Sequence, residues 1–154
     1  MRTLRKKVGM ILGISIASLV VIVIGLTQFT GSVTLSVSDG TALTKQFDET
    51  AYQKHFDAYY EKYPLERFRF LTNYDQLSLW IQSSAPEVLS VVPAGIDGLG
   101  VAHYEIRFRQ PSAGWRVGDQ QFYVDTNGVT YKQNYFSEPA VNVLDHSGAR
   151  VEQG

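Results

Sequence analysis

The chain has 154 residues, of which 15 are acidic, 14 are basic and none is cysteine. The lack of cysteine excludes disulfide frameworks, thiolate nucleophiles and cysteine-ligated metal sites. A formal net charge of −1 argues against nucleic-acid binding, which usually needs a basic face. The length fits one ordinary domain or two very small ones.

The charges are unevenly distributed along the chain. Residues 1–7 carry a charge of +4, whereas the chain from Thr27 onward has 10 basic and 15 acidic residues. Residues 8–26 between them carry no charge, and as a helix they would span about 28 Å, close to the thickness of a bilayer core. We therefore predict a basic cytoplasmic stub over residues 1–7, a transmembrane helix over residues 8–26 and an extracytoplasmic body.

A cleaved signal peptide is the alternative interpretation of this segment, because signal peptides also begin with a basic region. Their apolar core is normally shorter, about 7–15 residues, and precedes a cleavage site with small residues. Thr30-Gly31-Ser32 matches such a site only weakly. We expect an uncleaved anchor.

The next segment combines the periods of a strand and of two helices. Apolar residues alternate with hydroxyl residues over 33–38, which predicts a strand, and Asp39-Gly40 predicts a turn. Two helical stripes follow, the first ended by Pro64 and the second capped by Asn73 with Gln76 as a capping-box variant. The stripes consist of Tyr52, Phe56, Tyr59, Tyr60 and Tyr63, then of Tyr74, Leu77, Trp80 and Ile81.

Two further strands are predicted before Pro111. The first is short and apolar over residues 88–92, ends at Pro93, and leads into a glycine-spaced loop over residues 95–100. The second covers residues 101–109, with its aromatic and aliphatic side chains inward and His103, Glu105, Arg107 and Arg109 outward. The order is strand, helix, helix, strand, strand, an α+β module with two helices on one face of a three-stranded sheet.

The remaining segment, residues 112–154, has a β pattern. Asn127-Gly128 lies between alternating apolar runs, which is the strongest short-range signal for a hairpin. The neighbouring residues include Trp115, Tyr123 and Tyr131. The tail from Ser137 is polar and shows no obvious last strand.

Candidate catalytic and metal-binding residues are few. His55, His103 and His146 do not share a metal-ligand spacing, and no serine lies in a nucleophile elbow. Asp57 and Glu61 are four residues apart on the first helix, and we interpret them as part of a solvated face. We predict a non-catalytic protein with no cofactor and no metal, in which His103 is exposed.

Several short segments resemble the FtsQ/DivIB family of bacterial cell-division proteins. Ala85-Pro86-Glu87-Val88 resembles the family's passage from the second helix into the second strand. Residues 106–111, with Ala113 and Trp115, are similar to the segment that leaves the third strand, although Gln110 departs from the usual glutamate. Residues 123–131 are similar to the hairpin that opens the family's β domain, and Pro139 matches a following proline.

The resemblance implies a POTRA-like domain over residues 33–111 and a partial β domain over residues 112–154. It implies a divisome scaffold in the cell membrane at the division septum, recruiting and regulating septal peptidoglycan synthesis. Its partners would be other divisome membrane proteins, including FtsB/FtsL-like coiled-coil proteins if the β domain is complete. The β region is shorter than the family's, so the chain is either a fragment or a reduced member.

The hairpin and the strand beside it are the candidate partner-binding surface, with Trp115, Tyr123, Asn127, Gly128 and Tyr131 as its residues. A sheet with an open edge suits strand addition, and we expect the hairpin and the strand at residues 101–109 to order that edge. Two other functions stay open. One is a membrane-anchored POTRA-like binding module in envelope assembly or secretion, and the other is a surface-anchored enzyme that uses Asp57, Glu61 or His103.

Overall fold

The computed structural model describes residues 2–38 and 43–146. The turn predicted at Asp39-Gly40 and the chain after His146 lie outside these residues. The structure is mixed α+β and begins with one long helix. The elements are α1 Arg2–Gln28, β1 Ser32–Val37, α2 Glu49–Lys62, α3 Tyr74–Ser84, β2 Val88–Gly98, β3 Val101–Phe108, β4 Ala113–Val117, β5 Gln120–Val124, β6 Thr130–Tyr131 and β7 Asn142–Asp145.

Helix α1 contains an apolar window, Gly9–Gln28, that is long enough to cross a membrane. An 18-residue window within it has a mean hydropathy of 2.6, and none of that window is buried against the rest of the chain. A helix with no buried face has no packing partner within the molecule. The predicted N-terminal apolar helix is therefore confirmed by length and composition, with its end at Gln28 rather than at Leu26.

The first sheet has the strand order β1-β3-β2. Strand β1 pairs with β3 in parallel, so that Leu35 lies opposite Tyr104, and β2 pairs with β3 in the antiparallel sense. The parallel pair requires a crossover, and α2 and α3 supply it. The predicted order of strand, helix, helix, strand, strand is confirmed.

Both helices of the crossover pack on one face of this sheet. Their predicted apolar stripes enter the core, where Phe56, Tyr59, Leu77 and Ile81 are fully buried against the inward side chains of β3. Burying one such aliphatic or aromatic side chain contributes about 1.5–3 kcal/mol, and this face is the main source of stability for the module.

The helix caps follow the prediction with one difference. The Asp48 side chain caps α2, and the Asn73 side chain accepts a hydrogen bond from Gln76 N–H at the start of α3. In a capping box Gln76 would reach back to the Asn73 N–H. Glu66 Oε2 accepts from that N–H instead, at 2.8 Å, so the short 3₁₀ helix Pro64–Arg67 supplies the second half of the cap.

Strand β2 is longer than predicted, because Pro93 does not end it. The strand lies at an edge of the sheet, where a residue without an N–H costs no ladder hydrogen bond if that side faces outward. Register shifts near Pro93 and Ile96 accommodate the extra residues. The predicted loop over residues 95–100 is thus mostly the second half of β2, and the turn is confined to Leu99 and Gly100.

Helix side chains cover parts of both edges of the first sheet. On β1, Leu35 N–H donates to Glu49 Oε1 at 2.9 Å, and Gln53 Nε2 donates to Val33 O at 2.9 Å. On β2, Val91 N–H donates to Ser78 Oγ at 3.2 Å. Residues 101–108 do not themselves form an open edge, because β3 is the central strand and is paired on both sides.

The second sheet has the order β6-β5-β4-β7. Strands β4 and β5 form a hairpin through Gly118 and Asp119, which the sequence analysis did not predict. The tail does contain a last strand, β7, which pairs with β4 in parallel. A methyl group on Gly114 would overlap the end of the Asn142 side chain on β7, which would have to move to make room.

Buried tyrosines give the fold a marked response to alkaline pH. Burial raises the pKa of seven of the nine tyrosines, namely Tyr52, Tyr59, Tyr60, Tyr104, Tyr123, Tyr131 and Tyr135. Because their pKa values are higher in the folded chain, their contribution to stability is fully present below about pH 10 and is lost as the pH rises from there through the raised pKa values.

We expect an alkaline titration of the full chain in detergent, followed by absorbance at 295 nm, to show that the seven buried tyrosines ionise only well above pH 10. Their ionisation should coincide with the loss of near-ultraviolet circular dichroism. Ionisation of these seven near pH 10 in a chain that keeps its circular dichroism would contradict the packing described above.

Candidate partner-binding surface

An ion pair between Arg109 and Asp125 joins the two sheets. The distance from Arg109 Nη1 to Asp125 Oδ2 is 2.7 Å, and the two side chains are only 10% and 5% exposed. Arg109 Nε also donates to Pro86 O at 2.9 Å. The prediction that Arg109 points outward is wrong, because its guanidinium is held by the Asp125 carboxylate and the Pro86 carbonyl and is largely buried.

The other carboxylate oxygen of Asp125 shapes the loop between β5 and β6. Asp125 Oδ1 accepts from Asn127 N–H at 2.8 Å and from Val129 N–H at 2.9 Å. The predicted hairpin is present, but its connection is the five residues 125–129 rather than a two-residue turn. Gly128 has φ of +83°, a conformation that other residues rarely adopt.

These contacts determine the ionisation of Asp125. Burial alone would raise the pKa of this carboxyl, but the hydrogen bonds from Arg109 and from the amides of Val129 and Asn127 outweigh burial and hold it below its usual 3.8. The ionised carboxylate therefore stabilises the fold above about pH 4. Its contribution is lost as the pH falls through the lowered pKa.

An aromatic and hydroxyl network reinforces the junction. The ring of Tyr135 packs on Phe108 with centroids 4.3 Å apart. Tyr52 Oη donates to Glu87 Oε1 at 2.6 Å and lies 3.1 Å from Tyr135 Oη. With the ion pair, this network fixes the second sheet to the end of β3.

Strand β7 lies at one edge of the second sheet and carries exposed apolar side chains. Val143 and Leu144 are exposed, and within the described part of the chain β4 is the strand that pairs with β7. Val141 O accepts from Gly114 N–H of β4 at 2.8 Å. Because backbone groups alternate along a strand, Asn142 and Leu144 direct theirs away from β4. Such an edge is a template for another strand.

A cleft of about 460 Å³ lies where the two modules meet. Its lining includes Leu89, Phe136 and Asn127, with Arg109 and Asp125 among the polar residues. Leu89 and Asn127 are exposed there. This combination of an apolar side and polar groups is typical of a site for a side chain or a small ligand.

The five predicted partner-binding residues fall into two groups. Tyr123 and Tyr131 are buried, with their hydroxyls donating to Glu138 and to the Arg109 carbonyl at 3.0 Å, so in this structure they hold the module together. Asn127 and Gly128 are exposed at the tip of the β5–β6 loop. Trp115 is half-buried on β4, and its Nε1 donates to Asp145 at 3.3 Å.

A second cluster lies on the face of the first sheet away from the helices. His103 Nδ1 lies 2.6 Å from Asp97 Oδ2, and His103 Nε2 lies 2.8 Å from Ser36 Oγ. These are the hydrogen bonds between nucleophile, base and carboxylate that a serine nucleophile requires. His103 was predicted to be exposed, but its side chain is only 23% exposed.

The surroundings of Ser36 offer less to a reaction. Leu35 N–H, an outward amide of β1 next to Ser36, already donates to Glu49 and is not available to stabilise an oxyanion. The pKa of Asp97 is lowered by hydrogen bonds from Thr34 and His103. A hydrogen-bonded polar face is therefore sufficient to explain the cluster, and catalysis is not required.

The remaining candidates stay apart from both clusters. Asp57 and Glu61 are exposed on α2, in agreement with a solvated face. In residues 2–38 and 43–146, no three histidine, aspartate or glutamate side chains form a group that could hold a metal ion.

Sequence reasoning missed Arg109 and Asp125 as the junction. A signal was present, since an aspartate before Thr-Asn-Gly commonly accepts hydrogen bonds from the following amides. The partner of such a carboxylate lies 16 residues away, and no local pattern identifies it.

Comparison of the chain with protein-family models found no match, and neither did a search of curated proteins.

We expect Asp125→Asn to lower the free energy of unfolding by about 3–5 kcal/mol, because it leaves the buried Arg109 charge without its partner. Urea unfolding of the full chain in detergent, followed by tryptophan fluorescence, measures the change.

The matched control is Asp119→Asn, at an exposed aspartate of the β4–β5 turn, which we expect to change stability by less than about 0.5 kcal/mol. Equal effects of the two substitutions would show that the ion pair does not hold the junction.

Proposed function

We propose that this chain is a non-catalytic bitopic scaffold of the bacterial divisome, similar to the FtsQ/DivIB family, that binds its partners outside the cytoplasm. It would help recruit and regulate septal peptidoglycan synthesis. The observation that carries the proposal is the order of its parts: an apolar helix of membrane-spanning length, then at once a β-α-α-β-β module, then a second sheet.

The topology of the first module supports a POTRA-like assignment. Its chain order of strand, helix, helix, strand, strand is the one that the resemblance to that family implies, and the three strands form one sheet with the order β1-β3-β2. The following sheet is entered through Pro111, and its β5–β6 hairpin includes Asn127-Gly128.

The anchoring also fits the proposal. The four positive charges at residues 1–7 lie on the N-terminal side of the apolar window, which favours an N-terminus in the cytoplasm and the two modules outside it.

The edge of β7 is the binding surface in this proposal. Helix side chains bond to both edge strands of the first sheet, whereas β7 offers exposed apolar side chains and outward backbone groups. A strand-forming segment of an FtsB/FtsL-like partner would add its backbone hydrogen bonds here.

Two alternatives have support of their own. The same anchor and module would serve a POTRA-like binding protein in envelope assembly or secretion, which would not gather at the septum. The Ser36–His103–Asp97 geometry favours a serine-dependent enzyme as a second candidate. Labelling of the chain by a fluorophosphonate probe, with loss of labelling in Ser36→Ala, would favour the enzyme.

We expect a fluorescent fusion at the cytoplasmic N-terminus to gather at the septum of dividing cells. Leu144→Pro should reduce septal signal severalfold, because it removes an N–H that points away from β4 and so blocks an added strand while sparing the β4 ladder.

Leu144→Thr is the control, since it removes the apolar side chain but keeps the N–H. Fluorescence distributed uniformly around the cell periphery by the unchanged chain would contradict the divisome proposal and would leave the envelope-assembly alternative. Equal septal signal from the proline and threonine variants would contradict strand addition.

A further inference from the structure

The end of α1 is hydrogen-bonded to the first module without a free linker. Thr30 N–H donates to Arg67 O at 2.7 Å, and Arg69 N–H donates to Gln28 O at 3.0 Å. These bonds form a short antiparallel contact immediately after the helix. The guanidinium of Arg69 also donates to Thr27 O and Gln28 O, the carbonyl end of the helix.

The segment after α1 also forms hydrogen bonds with the turn between β2 and β3. Gly31 N–H and Ser32 N–H both donate to Gly100 O, at 2.7 and 3.1 Å. Gly100 belongs to the turn between β2 and β3. Residues 27–32 are therefore held between this turn and the segment after the 3₁₀ helix.

Four apolar side chains lie exposed around this point, and we call them the rim: Phe29, Phe70, Leu71 and Leu99. Leu99 is 80% exposed and Phe70 is 68% exposed. Single exposed apolar residues are ordinary, but large ones grouped in one place indicate an interaction surface.

Contacts place these side chains at the helix end. The ring of Phe29 lies 5.5 Å from that of Phe68, which lies 5.9 Å from Phe70. Leu71 N–H donates to Phe68 O at 2.7 Å, closing the same turn. Leu99 directly precedes Gly100, which bonds to Gly31.

The length of α1 sets the depth of the rim in a bilayer. The 20 residues of the apolar window span about 30 Å as a helix, which equals the hydrocarbon thickness. The hydrocarbon boundary then falls near Gln28. The headgroup layer adds about 5–7 Å on each side, so residues within a few positions of Gln28 lie at headgroup depth.

We infer that the rim contacts the headgroup region of the phospholipid bilayer and fixes the orientation of the first module on the membrane. The inference rests on the membrane anchoring proposed above. Phenylalanine rings and leucines beside a helix end, with the Arg69 guanidinium among them, match the chemistry of that layer of anionic phosphates over hydrocarbon.

The bilayer is the occupant because the rim is continuous with the membrane helix. A partner helix or a second copy would need to approach the same few residues within the layer that lipid already occupies. The second sheet is at the other end of β3, whose eight residues extend roughly 26 Å, and it stays away from the surface.

The lack of cysteine in the chain permits a direct test. Leu99→Cys and Phe70→Cys, each labelled with the fluorophore NBD, are reconstituted as full chains in vesicles of phosphatidylcholine and phosphatidylglycerol. Lipids with a nitroxide near the headgroup report contact by quenching. We expect both labels to be quenched at least twofold more than a label at Leu144→Cys on β7, an exposed apolar control far from the rim.

The outcomes separate the inference from the anchoring on which it rests. Failure of the chain to float with the vesicles would overturn the anchoring and the inference together. Flotation with equal, weak quenching at all three positions would overturn the inference alone. A blue-shifted rim emission without lipid quenching would also overturn it, since protein would then cover the rim.

Discussion

The junction between the two sheets depends on one buried ion pair, which Arg109 forms with Asp125. Removing two charges from water costs several kcal/mol each, and the cost is offset only where every donor and acceptor finds a partner. Here the carboxylate accepts from Arg109, Asn127 and Val129, and the guanidinium also reaches Pro86 O. The same bonds shape the β5–β6 loop and hold it against the end of β3. The junction therefore makes one body of two small β units.

The edge strands of the two sheets differ in how far side chains bond to their backbone. Glu49 and Gln53 bond to the backbone of β1, and Ser78 bonds to that of β2, so that helix side chains cover parts of both edges of the first sheet. In the second sheet, β7 leaves exposed apolar side chains along its outer edge. A fixed second sheet would then present that edge at the far end of β3, and in the proposed anchoring α1 would hold the near end at the membrane.

Much of the first module could be predicted, because its signals are local. Alternation in β1 and β3, the aromatic stripe of α2 and the Asn73 cap each depend on neighbouring residues. The predictions that were wrong concern features that are determined by residues far apart in the sequence. Pro93 continues a strand because β2 lies at an edge, β7 forms by pairing with the distant strand β4, and Arg109 is buried by a loop 16 residues later. The buried roles of Tyr123 and Tyr131 likewise follow from packing rather than from the hairpin pattern.

We propose that the chain is anchored in a membrane and binds a partner protein through β7. Photo-crosslinking in dividing cells tests it most directly, with benzoylphenylalanine placed at Leu144 and, as the control, at exposed Asp57 on α2. We expect Leu144 to crosslink to a small single-pass membrane protein with a coiled-coil segment, and Asp57 not to crosslink to it. Crosslinking of that protein from Asp57 but not from Leu144 would contradict it.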